Sequence, residues 1–360
     1  MTDKNKQART QAMPPSPDAV AALQCELDDL RARHAAVLGS RSWRITAPVR
    51  WVGARGRCLA SLVAGWRMWA QGVQRLRRAP LLGPWLVRRE LIRRYIGLHG
   101  VAPRLDPPVG FNEHMLYRML NDRDPLLRRV NDKLEVREVI RERLGADYVV
   151  PLLGVWRDPA EVDWDRLRPP FVLKPSHSSG FPIFVRDNAG LDRAELADQA
   201  RRWLAEDYFD IALEWGYRGL PRRLLAEPLL VGHDGAPPVE VHVFVFSGTA
   251  AILRLMTGHK TDDCREDCFD AQGTRLPVRL RLNRLPGNRV LEPAMARRLA
   301  CLAERVAAGV SHMRVDFYLT DDGLRIGELT PYTLGGTMRP DPPEWDAIMG
   351  RMWSDMSSSC

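Results

Sequence analysis

Hydrophobic and polar residues alternate along this chain with two different periods, and each period predicts its own kind of element. Val239 to Phe246 puts four valines on one side and Glu240, His242, Phe244 and Phe246 on the other. Neither side is plainly polar, so the segment is expected to be a strand buried on both faces. Period-two or continuous apolar runs predict further strands at 148–156, 170–174, 182–186, 224–231, 249–256, 312–319 and 324–330. Residues 132–144 set Val136, Val139, Ile140 and Leu144 on one side of a helix, and helices are expected at 191–206 and 292–308. Helices mixed with strands in this way give an α+β or mixed α/β pattern, without an internal repeat.

The N-terminal part reads differently. Residues 1–16 are polar, with prolines close by, and are expected to be a disordered lead. From Val20 the apolar seam runs through Leu23, Leu27, Leu30, His34 and Val37, the spacing of a short coiled-coil-like helix over 17–40. Such a helix can self-associate, meet a partner or pack on the rest of the chain. Residues 41–94 carry thirteen arginines against one acid, Glu90, with Trp66, Trp69 and Trp85 among them. No apolar run there reaches the length of a spanning helix. Two readings of this basic amphipathic arm, 41–95, stay open: a helix lying on a membrane surface, or one packed on the domain from 96 to 360. Without a reader motif, nucleic acid is not an expected partner.

Charge sharpens that division. The net charge is +8, yet residues 1–40 balance and the part beyond 94 sums to about −4. The basic residues are 48 Arg and 5 Lys, and beyond residue 100 lysine stands only at 133, 174 and 260. A chain that so favours arginine places its lysines where a compact ammonium fits between phosphates. The six cysteines form no dense framework, which points to a reducing cytosol. Cys264 and Cys268 are two metal-type ligands without a second pair, so a surface loop is the expected reading.

Three stretches carry candidate chemistry. In Met313 to Thr330, a three-residue Asp321-Asp322-Gly323 turn would set Asp316 opposite Glu328 and Arg314 opposite Thr330. Two carboxylates across a ladder repel, unless a divalent cation such as Mg²⁺ sits between them. Phe171 to Gly180 runs a β-branched strand into Lys174 and a small-residue loop, Ser176-His177-Ser178-Ser179-Gly180, able to approach phosphate oxygens. It lacks the order of a P-loop. Glu240 and His242, on a buried strand, need polar partners, either a ribose or phosphate or each other.

Taken with Phe111-Asn112-Glu113, Asn121-Asp122-Arg123-Asp124-Pro125, Asp132-Lys133, Arg137-Glu138, Ala226-Glu227, Gly327-Glu328-Leu329-Thr330 and Pro343-Glu344-Trp345-Asp346, these stretches resemble the TupA-like branch of the ATP-grasp superfamily. That branch is named for teichuronopeptide biosynthesis, and the likeness spans about 97 to 353. It implies two α+β lobes clamping ATP. By analogy, Lys133 and Lys174 would hold the phosphates under the loop from Ser176 to Gly180. Glu227 and Leu229 would meet adenine, and Glu240, with His242 beside it, the ribose. Asp316, Glu328 and Thr330 would bind Mg²⁺, and Arg314 would face the transferred phosphoryl group. His242 stands where the branch has lysine, Ser178 where a glycine is customary, and Thr330 where the wider superfamily favours asparagine.

Residues 22–57, with Ser40-Arg41-Ser42-Trp43-Arg44-Ile45-Thr46-Ala47-Pro48-Val49-Arg50, resemble a leader appended to bacterial polysaccharide glycosyltransferases. The two resemblances together imply an ATP-dependent carboxylate–amine ligase working through an acyl phosphate. Its acceptor would be a small molecule or a polysaccharide, with surface polysaccharide or its uronic-acid and amino-acid substituents in view. A kinase of sugar or peptide hydroxyls, and a nucleotide-binding scaffold that recruits glycosyltransferases, are the alternatives. The expected place is the cytoplasm, at the inner face of the membrane if the arm binds it.

Overall fold

Apolar alternation sorts the chain into two sheets. The computed structural model describes residues 72, 74, 76–180, 182–187, 192–232, 235–258, 264–281 and 284–357. The helix expected over 17–40, most of the arm expected over 41–95, and Lys260 lie outside them. The smaller sheet is antiparallel, in the order β1 (Gly154–Trp156), β4 (Leu224–Pro228), β2 (Phe171–Pro175), β3 (Ile183–Val185). The larger holds β5 (Val239–Phe246), β6 (Thr249–Thr257), β7 (Arg265–Phe269), β8 (Arg275–Leu276), β9 (Leu285–Pro286), β10 (His312–Thr320) and β11 (Gly323–Thr330). Its order is β11-β10-β5-β6-β7-β8, with β9 parallel to β7.

Each sheet has its own core. Phe171, Leu173, Leu224 and Ala226 of the small sheet meet Leu196, Ala200 and Trp203. The larger core centres on β5, buried on both faces as its sequence predicts. Each large side chain wholly removed from water there, Phe244 or Phe317 for example, contributes about 1.5–3 kcal/mol.

Eight helices are named along the described chain: α1 (Leu82–His99), α2 (Phe111–Asn121), α3 (Pro125–Asn131), α4 (Glu135–Leu144), α5 (Arg193–Ala205), α6 (Tyr208–Ala212), α7 (Pro293–Val306) and α8 (Trp345–Ser357). Short polar side chains lead into several of them. Asp192 Oδ1 accepts from Ala194 and Glu195 N–H at the head of α5, and Asp132 Oδ1 accepts from Leu134 just before α4. Helix α7 buries Leu299, Ala300, Ala303 and Val306 and packs on β6. Among the described residues no helix is long and apolar enough to cross a membrane.

Helix α1 runs through residue 95, where the arm was expected to end. Leu91 and Tyr95 are buried against the following domain, while Leu81, Leu82 and Trp85 are exposed. Gly100, at φ 74°, ends it in the left-handed conformation that glycine adopts without strain. Cys264 and Cys268 depart from the expected surface loop. Both are buried free thiols, at and within β7, where apolar packing explains them.

The hairpin of β10 and β11 reaches the expected register by an unexpected route. The turn is a two-residue Asp321-Asp322 connection, since Thr320 pairs with Gly323. That alone would offset the strands by one, but a β-bulge at Gly327 restores the count. Asp316 therefore pairs with Glu328, and Arg314 with Thr330. Glycine is required at the bulge because a Cβ there would come within 2.2 Å of Tyr318 Cε2.

Two residues that carried the family resemblance, Asn112 and Asp346, are fasteners. Asn112 Nδ2 donates to Asp346 Oδ1 (2.7 Å) and Met338 O (2.9 Å), tying α2 to α8. Arg118 is buried and donates to His312 O, Pro331 O and Ser311 Oγ, which joins α2 to the strand that bears Arg314 and Asp316.

Candidate active site

Alternate residues of three adjacent strands build one polar face. β10 lies between β5 and β11, with Asp316 beside His242 on one side and Glu328 on the other. Arg314 grips Asp316 with two bonds, Nε to Oδ1 (2.7 Å) and Nη2 to Oδ2 (2.6 Å), and Nη2 also donates to Thr330 Oγ1 (3.0 Å). Burial works against both charges, but the pairing wins: Arg314 is held above its ordinary value and Asp316 below.

His242 is a link in this face. Arg254 Nη2 donates to its Nδ1 (2.8 Å), which leaves Nε2–H to meet Glu240 Oε2 (3.4 Å) and Asp316 Oδ2 (3.6 Å). Burial lowers its pKa to about 4, so the ring is neutral at neutral pH and the fixed positive charge beside it is Arg254. Arg254 was not among the residues picked from the sequence. Its one signal was its place on a strand beside the Glu240–His242 strand.

The small sheet adds a second constellation. Lys174 Nζ lies 2.6 Å from Glu227 Oε2, and Arg137 Nη1 lies 3.0 Å from Oε1 of the same carboxylate. Arg137 also donates to Val150 O. Glu227 is therefore bracketed by two cations. Lys133 joins this group: its ammonium donates to Ser178 O, and its backbone N–H donates to Ser176 O (2.9 Å). Burial lowers the Lys133 pKa to about 8, with Lys174 adding repulsion and Glu328 opposing the shift.

The loop after β2 is only partly turned to the cleft. Ser176 donates its N–H to Arg223 O (2.8 Å) and its hydroxyl to Pro221 O (3.2 Å). His177 Nε2 lies 3.2 Å from both Trp203 O and Glu206 O, so the buried ring fastens the loop to the end of α5. These side chains, expected over the phosphates, are committed elsewhere. Ser179 does line the cleft, with its hydroxyl at the phenols of Tyr208 and Tyr217, and Gly180 is exposed at φ 85°. Leu229 follows β4, its N–H on Pro170 O.

Beside Arg314, Glu328 and Thr330 lies a cavity of about 380 Å³. Tyr208, Tyr217 and Tyr332 line it, together with Glu214, a residue without any motif to mark it in the sequence. Burial, and then the charge of Glu328, raise the Glu214 pKa to about 8.

These residues fit a metal-bound polyphosphate. Lys133 is a half-buried ammonium whose described side-chain bond is to a carbonyl, which leaves its charge for an anion. Glu328 makes no ion pair among the described residues and offers hard oxygen opposite Asp316, the donor type of Mg²⁺. No three His, Cys, Asp or Glu side chains among the described residues could hold a metal alone, so phosphate oxygens would complete its shell.

Cations and a carboxylate hairpin are brought together beside the two sheets, the arrangement expected of the ATP-grasp class. A family model described as TupA-like ATP-grasp matches residues 113–354, and the chain belongs to that family. The family bears the ATP-grasp name, in keeping with the ATP expected from the sequence. No curated protein matches the chain. Among solved structures it is similar to the ATP-grasp ligase PsnB complexed with minimal precursor, at 14% identity and a TM-score of 0.35, over 65% of this chain and 62% of that one. It is also similar to an L-amino acid ligase from Bacillus licheniformis, at 11% identity and a TM-score of 0.42, over 73% and 61%. For the D-alanine–D-alanine ligase from Bacillus anthracis complexed with ATP, the identity is 14%, the TM-score 0.38 and the coverage 63% of each chain. The chain thus spans less than two thirds of the length of each of these three.

Proposed function

We propose that this protein is an ATP-dependent carboxylate–amine ligase working through an acyl phosphate. We place its acceptor on a bacterial surface polysaccharide or among its uronic-acid and amino-acid substituents. The observation that carries the reading is the cavity of about 380 Å³ whose wall includes Arg314, Glu328 and Thr330, because it gives an acceptor room beside the phosphoryl-transfer residues. A carboxylate oxygen bonds to the γ-phosphorus as the bridging P–O bond breaks and ADP leaves. The amine nitrogen then bonds to the carbonyl carbon, phosphate departs with its electron pair, and the nitrogen loses a proton.

In this reading Lys133 and Lys174 hold the phosphates, and Ser178, Ser179 and Gly180 lie over them. Glu227 and Leu229 meet adenine, and Glu240 and His242 the ribose side. Asp316 and Glu328, with Thr330 nearby, hold Mg²⁺, which when bound supplies charge neutralisation on the phosphates. Arg314, kept charged by Asp316, faces the group in transfer, where preorganised charge stabilises the transition state. The leader is assigned to an anionic membrane surface or a glycosyltransferase partner, near the site of polysaccharide assembly. Purified protein incubated with ATP, Mg²⁺, uronic-acid acceptors and candidate amines tests the reading through ADP and product mass. An amide is expected; a phosphorylated hydroxyl, or no ADP at all, would overturn it.

A further inference from the structure

Glu214 is a carboxylate held in place without a counter-charge. It follows Leu213, a buried residue forced into the left-handed region at φ 59°, and precedes the single turn Trp215–Tyr217. A non-glycine residue persists in that conformation only where its surroundings fix it. On the opposite wall Gly335 comes so close that a Cβ there would lie 3.1 Å from Glu214 Oε1. Among the described residues no side chain or N–H donates to this carboxylate, and it forms no ion pair.

The cations of the cavity are already engaged. Arg314 is bound to Asp316 and Thr330, and Arg94 to Glu90 Oε1 (3.0 Å) and Ile211 O (2.9 Å). Glu328 adds negative charge, and the remaining polar walls are uncharged, among them the phenols of Tyr208, Tyr217 and Tyr332 and the amide of Asn131. A partly buried carboxylate without a partner is costly, and a positively charged ligand relieves that cost. Aromatic faces add attraction for the same kind of group. The size of the cavity, near the lower end for small-molecule sites, suits one amino acid or one sugar unit.

We propose that the Glu214 wall of this cavity is the subsite for the amine, beside the room left to the acceptor carboxylate at Arg314, and that Glu214 is the specificity-determining residue that binds the ammonium group of that amine. The assignment of that amine as the attacking partner rests on the ligase reading; the binding of an ammonium group does not. Where a divalent cation occupies Glu328 and Asp316, Glu214 remains as the carboxylate left to the acceptor.

The test uses matched pairs that differ in ammonium against hydroxyl, glucosamine with glucose and alaninamide with lactamide, titrated into the full chain in the presence of ADP and Mg²⁺. Wild-type protein is expected to prefer at least one amine by roughly tenfold or more, a difference of about 1.4 kcal/mol. That preference should vanish in Glu214→Gln and survive in part in Glu214→Asp, with ADP affinity serving as the check on folding. Absence of any preference in the wild type, or its survival in Glu214→Gln, would overturn the proposal. A separate arm, hydroxamate formation from glucuronate, ATP and hydroxylamine by the wild type, addresses the ligase reading. A negative result there removes the ligase reading and leaves the matched pairs to decide on Glu214.

Discussion

Replacing Gly327 by alanine tests how the carboxylate hairpin is built. The added Cβ would lie 2.2 Å from Tyr318 Cε2, 3.0 Å from Cζ and 3.1 Å from Cδ2. These are atoms of a half-buried ring on a strand held between two others, so moving it disturbs its neighbours. Either the ring shifts, at the cost of about 1–3 kcal/mol usual for overpacking, or the bulge is lost. For a domain of this size that cost corresponds to a Tm lower by roughly 2–12 °C. Losing the bulge is worse for function, because a one-residue slip turns Glu328 to the opposite face of the sheet. Thermal unfolding and ADP release titrated with Mg²⁺ give the two readouts. A lower Tm together with a Mg²⁺ requirement raised roughly 10–100-fold is expected, the scale seen when groups that orient metal ligands are disturbed. Tyr318→Ala in the same chain should recover much of the stability, a non-additivity expected of residues in contact. Gly327→Ala with unchanged Tm and unchanged Mg²⁺ dependence would refute this account of the bulge.

Two further outcomes follow from the site. Lys174→Ala should abolish ATP turnover yet leave the domain folded, because Arg137 still holds Glu227; wild-type turnover in that variant would remove Lys174 from the site. Stability should fall as pH drops from about 6.5, where an unfolded histidine takes its proton, towards about 4. Burial keeps His242 and His312 neutral in the folded state over that window, so the unfolded chain takes up two protons there against the one that the folded chain keeps on Glu214. Unfolding free energies from denaturant titrations that stay level between about pH 7 and pH 5 would contradict it.

The strands that bear chemistry were legible because their residues are committed locally. The predicted 239–246, 249–256, 312–319 and 324–330 coincide with β5, β6, β10 and β11 to within a residue. The Asp316–Glu328 pairing was also legible, though through a three-residue turn the chain does not make and without the bulge it does make. Those two offsets cancel. Nothing local marks Gly327 as a bulge, since its requirement comes from the Tyr318 ring across the ladder. β7, β8 and β9 were missed for a similar reason. They are short, and their place beside β6 depends on Arg275 meeting Asp267 and on Glu266 accepting from Leu280 N–H, contacts not local to any one strand. The loop's lysine partner was found from its residue type, whereas Ser176 and His177 were read as cleft residues although carbonyls of Pro221, Trp203 and Glu206 claim them. Glu214 and Arg254 carry no motif at all. Their roles exist only once α6, β6 and the turn at Gly335 have come together.

The central claim is that ATP is spent on a carboxylate. A uronic acid labelled with ¹⁸O in its carboxyl group, incubated with ATP, Mg²⁺, the protein and an amine, tests it through the mass of the released phosphate. One labelled oxygen in the phosphate is the expected result, because the carboxylate oxygen bonded to phosphorus leaves with it when the amine attacks. Unlabelled phosphate, or label retained in full by an acceptor phosphorylated on a hydroxyl, would contradict it.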